Sequence, residues 1–241
     1  MTDIRYFDTV TSTSDVIKDL AKRGAPEGTV VISNHQSAGR GRMGRSFMSP
    51  VGTGLYMSVL LRPSLHASDA LLITTAAAVA VAEAIEAQSG KQTVIKWVND
   101  IYIGGKKVCG ILTEGQALPD GALDFAVLGI GVNLVLPEGG FGELADVAGA
   151  VFDSDGFDRD ALAADILDNF FRYYKVLEGK PHYSEYCARD MLRGKTVTVY
   201  RAGEALYDAT VKGIGNDFSL IVSHGGKTEK ISTGEVSVRV K

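Results

Sequence analysis

The sequence is poor in cysteine and has no strong excess of charge of either sign. Cys109 and Cys187 are its two cysteines, and neither stands in a CxxC or Cys/His ligand spacing. Such a pair predicts neither a disulfide framework nor a protein-bound metal, and it fits a reducing, cytoplasmic compartment. Because 25 lysines and arginines stand against 29 aspartates and glutamates, the composition argues against a surface built to coat nucleic acid. Any phosphate site is therefore expected to be local.

Long apolar runs are also lacking. The first six residues lead into no apolar segment, so no secretory signal is expected. The longest nearly apolar stretch, residues 71–82, is shorter than the roughly 20 residues that a membrane-spanning helix needs. We interpret it as a core helix and expect no membrane association. With 45% hydrophobic and 22% charged residues, the chain has the composition of a globular protein.

Apolar periodicity predicts two domains, residues 1–193 and 194–241. In the first, predicted strands cover residues 28–33, 55–61, 93–97, 101–103, 106–114 and 123–136. Predicted helices cover residues 12–24, 68–88 and 158–177. These elements indicate an α+β domain with a mixed sheet and flanking helices. Beyond Gly194, short alternating segments separated by glycines are typical of a small β-barrel.

One polar loop, residues 34–50, has an unusual composition. Three arginines alternate there with three glycines, in the order Gly39-Arg40-Gly41-Arg42-Met43-Gly44-Arg45. Glycine permits close backbone approach, and guanidinium groups suit phosphate or carboxylate oxygens, so the loop indicates an anion clamp. A solvated basic turn or an RNA-contacting arm is the alternative interpretation. The phosphate-loop pattern GxxxxGK[ST] does not occur, so a nucleotide would bind by other means.

Two further segments carry polar groups. Residues 96–100 end one predicted strand and open a hairpin whose return strand begins with Lys106 and Lys107, so charged groups should meet there. Turn-forming and edge-strand roles explain these residues about as well. Residues 129–133 place Gly129, Gly131 and Asn133 inside a strand. This pattern predicts either close approach of another group or a bulge.

The combination of these segments resembles the catalytic domain of bacterial biotin-protein ligases. Order and spacing match over nearly the whole chain, including residues 12–13, Gln36, the arginine-glycine loop, 96–100, 107–111, 129–133 and the C-terminal 234–239. The resemblance implies a class II synthetase-like fold of the biotin/lipoate ligase type, followed by an SH3-like barrel. It also implies ATP-dependent formation of biotinyl-5'-AMP, with Mg²⁺ on the phosphates, and transfer of biotin to a lysine of a biotin carboxyl carrier protein.

By the same resemblance, site residues can be assigned. The expected biotin contacts are Ser12, Thr13, Gln36, Arg40 and Lys107. The expected nucleotide contacts are Arg42, Phe47, Asn99, Asn133 and Arg239. Arg40, Arg42 and Lys107 are expected to neutralise the reacting anions, and Asp100 to act as a base or positioning group for the carrier lysine. We expect the loop to close over the adenylate.

The chain departs from the family pattern at three positions: Val98 replaces the usual proline, Phe47 the frequent tryptophan and Cys109 the usual alanine. Bifunctional members carry a DNA-binding domain ahead of this region, whereas only eleven residues precede Ser12, so no DNA binding is expected. Dimerisation is familiar in the family, and a homodimer stays an open alternative.

Two other functions deserve weight. A lipoate- or octanoate-type acyltransferase of the related fold would use a cysteine or lysine nucleophile, for which Cys109 is the candidate, but its apolar surroundings suggest burial. A non-catalytic nucleic-acid-binding module would depend on the arginine loop alone, and the overall acidity and lack of interleaved aromatics count against it.

Overall fold

Two β-sheets organise the protein, a computed structural model of which describes residues 3–201, 203–232 and 236–240. The first sheet has seven strands in the order β1-β2-β3-β7-β6-β5-β4. These strands are β1 (Ile4–Val10), β2 (Val30–Gln36), β3 (Gly54–Leu61), β4 (Val94–Lys96), β5 (Asp100–Ile103), β6 (Lys106–Ala117) and β7 (Leu123–Asn133). β1 and β2 are parallel and the other neighbours are antiparallel, so the sheet is mixed.

Helices cover both faces of this sheet. They are α1 (Thr13–Lys22), α2 (Leu71–Ser89), α3 (Arg159–Tyr174) and α4 (Tyr183–Ala188). Strand alternation separates the two faces, because Val31 packs with Ile17 of α1 while Val30 and Ile32 belong to the larger core that contains α2. Asp158 caps the N-terminus of α3, because its carboxylate accepts hydrogen bonds from two backbone N–H groups of the first turn.

α2 is apolar on nearly every side. Residues 67–89 are long and apolar enough to cross a bilayer by length and composition, and 72% of the apolar window lies buried inside the fold. The helix packs between the sheet and α3, where its buried alanines allow close approach. Its placement is that of a core helix, as the sequence predicts.

The C-terminal residues form a second, antiparallel sheet in the order β11-β10-β9-β8-β12. Its strands are β8 (Thr196–Arg201), β9 (Glu204–Ile214), β10 (Leu220–His224), β11 (Lys227–Ile231) and β12 (Val236–Val240). Among the described residues the sheet is open, because β11 and β12 stand at opposite edges, and closure into a barrel stays a prediction. Gly234 and Glu235 of the C-terminal motif lie outside the described residues. The boundary predicted at residue 193 falls between α4 and β8.

Candidate functional site

A cavity opens beside the central strands of the seven-stranded sheet, where the polar loop, the start of α1 and the 96–100 segment meet. Gly110 of β6 pairs directly with Gly131 of β7, so the floor has no side chains at this point. The ring of Phe47 occupies the space above it. A Cβ atom added to Gly131 would lie 2.6 Å from Phe47 Cε1. Close approach of another group therefore explains the glycines that the sequence places inside β7.

Nine of the eleven predicted site residues line this cavity. They are Ser12, Thr13, Gln36, Arg40, Arg42, Phe47, Asn99, Asp100 and Lys107. Asn133 and Arg239 are described but are not part of the lining. The order of elements in the sheet thus brings together residues that are widely separated in sequence.

One end of the cavity is neutral and rich in hydroxyl groups. The backbone N–H of Thr13 donates to Gln36 Oε1 at 3.0 Å, and Gln36 Nε2 donates to Ser49 Oγ at 2.8 Å. Thr13 Oγ1 and Ser58 Oγ are hydrogen bonded at 2.8 Å, and Ser12 is buried beside them. Because both ends of the Gln36 amide are fixed, the orientation of this polar group is set before any ligand arrives.

The other end is cationic. Lys107 Nζ pairs with Asp100 Oδ1 at 2.7 Å, and Arg42 Nη1 donates to Asn99 Oδ1 at 3.2 Å. Asn99 is itself held, since its Nδ2 donates to the carbonyl oxygen of Ile111 at 2.8 Å. Burial lowers the pKa of the Arg42 guanidinium, and the charge of Asp100 opposes this shift. A cation partly removed from water attracts an anion more strongly than one on the surface.

Arg40 lines the same cavity but pairs with carboxylates from two other elements. Its Nη1 donates to Asp15 at the start of α1, and its Nη2 lies 3.1 Å from a carboxylate oxygen of Glu114 on β6. Lys18 pairs with the other oxygen of Glu114 at 2.7 Å. These contacts fasten the arginine-glycine loop to the body of the domain.

Lys96 is a site residue to which the sequence interpretation gave no role. It lines the cavity beside Trp97, and it stands opposite Asp100 in the β4–β5 pair. Burial lowers the pKa of Lys96, as do the charges of Lys107, Arg45 and Arg239, while Asp100 raises it. The predicted hairpin is β5–β6, whereas Lys96 faces Asp100 in the preceding β4–β5 pair, which the sequence analysis does not predict.

The two remaining predicted residues lie near the cavity. Asn133 Nδ2 donates to the carbonyl oxygen of Gly149 at 3.0 Å, and Gly149 N donates to the carbonyl oxygen of Lys107 at 2.9 Å. Arg239 lies over the ring of Tyr200, 4.5 Å from its centroid. Its neighbour Val238 does line the cavity. Nucleotide contacts by Asn133 and Arg239 stay predictions.

The environment of Cys109 does not suit a nucleophile. The side chain is fully buried in β6, and burial raises the pKa of its thiol above the ordinary value. Reactive cysteines have a lowered pKa and access to solvent. Within the described ranges, no group of three or more His, Cys, Asp or Glu side chains is placed to hold a metal ion.

The chain thus combines a mixed sheet, one cavity with a neutral and a cationic end, and a C-terminal antiparallel sheet. Residues 6–133 match the model of the biotin/lipoate A/B protein ligase family. A biotin--[acetyl-CoA-carboxylase] ligase from Mycobacterium tuberculosis is 30% identical over 252 residues, which cover 96% of this chain and 88% of that protein. The chain therefore belongs to the biotin/lipoate A/B protein ligase family.

Other relatives are longer. The bifunctional ligase/repressor BirA of Bacillus spizizenii is 43% identical over 173 residues, which cover 70% of this chain but 53% of that protein. The match thus spans about half the length of that relative. A biotin protein ligase from Aquifex aeolicus, solved in complex with biotin and ATP, aligns over the whole of both chains with a TM-score of 0.82 and 25% identity. The predicted fold class is confirmed by this likeness.

Proposed function

We propose that this chain is a biotin-protein ligase that couples biotin to a carrier lysine in two steps. In the first, a carboxylate oxygen of biotin attacks the α-phosphorus of ATP and pyrophosphate leaves. In the second, the lysine amine attacks the carbonyl carbon of the resulting mixed anhydride, an amide forms and AMP leaves. The observation that carries the proposal is the single cavity with a neutral hydroxyl- and amide-lined end and a cationic end.

The neutral end suits the ureido ring of biotin. That ring has one acceptor oxygen and two N–H donors, and each one buried without a partner would cost about 1–3 kcal/mol. Ser12, Thr13 and Gln36 provide donors and acceptors at fixed positions. The fixed amide of Gln36 is expected to discriminate against acyl groups that lack such polar atoms.

The cationic end suits the adenylation step. Two anions must meet, so their repulsion has to be neutralised while the phosphorus is held in line with the attacking oxygen. The side chains that line this end are Arg42, Lys96 and Lys107. Arg40 is held near the start of α1 by its ion pairs with Asp15 and Glu114. None of these groups needs to form a covalent bond to substrate.

Mg²⁺ fits the donor set as a companion of ATP. Magnesium sites commonly use one or two carboxylates together with phosphate oxygens and water, and Asp100 is the carboxylate in the cavity lining. Mg²⁺ supplies neutralisation of phosphate charge when bound. In the transfer step, Asp100 is the group we propose to position or deprotonate the carrier lysine, with Lys107 holding its carboxylate at 2.7 Å.

The arginine-glycine loop is proposed to close over the adenylate and exclude water. Its ion pairs with Asp15 and Glu114 and the seat of Phe47 above Gly131 support a loop that docks onto the sheet. The proposed partner is a biotin carboxyl carrier protein domain, and the free cysteines support a cytoplasmic location.

Incubation of the protein with biotin, ATP and Mg²⁺ tests the function, with mass spectrometry to detect biotinyl-5'-AMP and an assay for pyrophosphate. Lys107→Ala should reduce adenylate formation by about a hundredfold or more, since it removes a cation from the reacting anions. Lys106→Ala is the matched control. Lys106 is the adjacent lysine, and its ammonium group donates to the carbonyl oxygen of Ala145 outside the cavity. Turnover of an octanoyl carrier without pyrophosphate release would instead indicate the acyltransferase.

A further inference from the structure

A tight turn of the C-terminal sheet reaches the back of the cavity wall. Residues 215–219 join β9 to β10, and Phe218 in this turn is completely buried. Its φ of 59° lies in the left-handed region, which a bulky residue adopts only when its surroundings impose it. The turn is fixed by Asp217, whose carboxylate accepts from the backbone N–H and the hydroxyl of Ser219.

The ring of Phe218 packs against aromatic rings at the start of α4. It is stacked on His182 with ring centroids 4.8 Å apart, and it meets Tyr183 and Tyr186 edge-on at 5.4 Å. All three partners belong to α4 or to the residue that precedes it. The side chain thus fixes the turn relative to the catalytic domain.

The same turn holds the segment that forms the cavity wall. The indole Nε1–H of Trp97 donates to the carbonyl oxygen of Phe218 at 2.9 Å. Tyr186, one of the rings around Phe218, donates its hydroxyl to the carbonyl oxygen of Val98 at 3.0 Å. Trp97 and Val98, two consecutive residues of the 96–100 segment, are therefore held from the side that faces away from the cavity.

This wall segment determines where the cations stand. Asn99 accepts from Arg42, and Asp100 pairs with Lys107, so a shift of Trp97 and Val98 would move the partners of both. The neutral end of the cavity is built on α1 and β2 and does not depend on this segment. A displacement of the turn should therefore affect the cationic end of the cavity far more than the neutral end.

We propose that Phe218 is a positioning residue for the cationic end of the cavity. It acts through Trp97 and Val98 and does not touch substrate. The inference rests on the proposed ligase function. It assigns to the C-terminal sheet a defined task, which is to hold the wall segment in the place where Asn99 and Asp100 orient Arg42 and Lys107.

Phe218→Leu tests the proposal, and Val222→Ala is its control. Val222 is also completely buried, but it pairs with Val211 and Glu229 inside the C-terminal sheet. Trp97 is the single tryptophan of the chain, so tryptophan emission, excited at a wavelength that tyrosine does not absorb, reports on its surroundings alone. Phe218→Leu should shift the Trp97 emission of the folded protein to longer wavelength and raise the KM for ATP about tenfold, the equivalent of one lost hydrogen bond. The affinity for biotin should change less than the KM for ATP, because Ser12, Thr13 and Gln36, the contacts proposed for its ureido ring, do not lie on this segment.

Val222→Ala should lower the melting temperature and leave the emission and the KM for ATP unchanged. The proposal is overturned if Phe218→Leu folds with unaltered emission and KM, or if the control produces the same changes. If Phe218→Leu does not fold, Tyr186→Phe replaces it, with Tyr183→Phe as control because that hydroxyl donates to Ile214 rather than to the wall. Equal KM values for that pair would overturn the proposal. A wild-type protein that makes no adenylate would refute the ligase function, while the fluorescence comparison would still decide whether the turn positions Trp97.

Discussion

Burial of His182 beside Phe218 leads us to expect that the free energy of unfolding decreases in mild acid. His182 has no exposed surface, and its Nε2 lies 2.9 Å from Thr75 Oγ1. The Thr75 hydroxyl already donates to backbone carbonyls of α2, so Nε2–H is the donor and Nδ1 is the unprotonated nitrogen. Nδ1 is buried without a hydrogen-bond partner among the described residues. A proton there would place a charge in an apolar site next to Phe218.

Burial therefore lowers the pKa of His182 from its ordinary value of 6.5 to about 4. Below pH 6.5 the imidazole of His182 becomes protonated in the unfolded chain, whereas in the folded chain it stays neutral until about pH 4. The contribution of His182 to the free energy of unfolding is fully present above pH 6.5. It decreases as the pH falls, and the loss is about 2 kcal/mol at pH 5 and about 3 kcal/mol at pH 4. The other ring partner with an ionisable group, Tyr173, stays neutral throughout, because burial raises its pKa to about 12.

Urea unfolding between pH 7.5 and pH 5, followed by Trp97 fluorescence and circular dichroism, measures this loss. Carboxylates also titrate there, so the informative quantity is the difference between wild type and His182→Gln, whose amide keeps a donor for Thr75 but does not titrate. The variant should lose about 2 kcal/mol less than wild type on going to pH 5. His66→Gln, at an exposed site, is the control for replacing a histidine by glutamine. Parallel curves for wild type and His182→Gln would refute the reasoning.

Two further predictions concern strands β6 and β7. Gly131→Ala should displace Phe47, because the new Cβ would lie 2.6 Å from its ring. Limited proteolysis of residues 40–45 should then become several-fold faster. In a Phe47→Ala background, Gly131→Ala should no longer change the cleavage rate. Cys109→Ala should retain adenylate formation within about threefold of wild type, because a buried thiol with a raised pKa is no nucleophile. A loss of activity above about tenfold in the pyrophosphate assay would count against that view.

The sequence predicted the buried elements better than the exposed ones. β3, α2 and α3 have a strong apolar pattern or a clear cap, and the structure confirms them to within a few residues. β1 was missed because it is an edge strand whose central residues are exposed, so no apolar alternation marks it. α4 was missed because its six residues are too few to show a helical period.

Site prediction succeeded where local motifs carried the chemistry. Arg42, Asn99 and Lys107 stand in short motifs, and the structure brings them into one cavity. The pairing of Arg40 with Asp15 and Glu114 joins residues 25 and 74 positions apart. Nothing local in the sequence specifies such contacts, because they depend on how α1 and β6 pack. The same holds for Phe218, whose partners are Trp97 and the aromatic residues at the start of α4.

The pairing of Arg40, Arg42 and Lys107 indicates which of these three cations gains most from an anionic ligand. Arg40 and Lys107 already have carboxylate partners in the free protein, so a bound phosphate must compete with Glu114 or Asp100 for them. Arg42 donates to the neutral amide of Asn99 instead. Burial has removed part of the water around Arg42, and Asp100, the nearby carboxylate, is already paired with Lys107. Of the three cations, Arg42 therefore has the charge that is least neutralised by protein groups. A phosphate that reaches it replaces a weak neutral partner with a strong charged one. Binding energy is thus concentrated at the group that Asn99 orients, and Asn99 directly follows the two wall residues that Phe218 and Tyr186 hold in place.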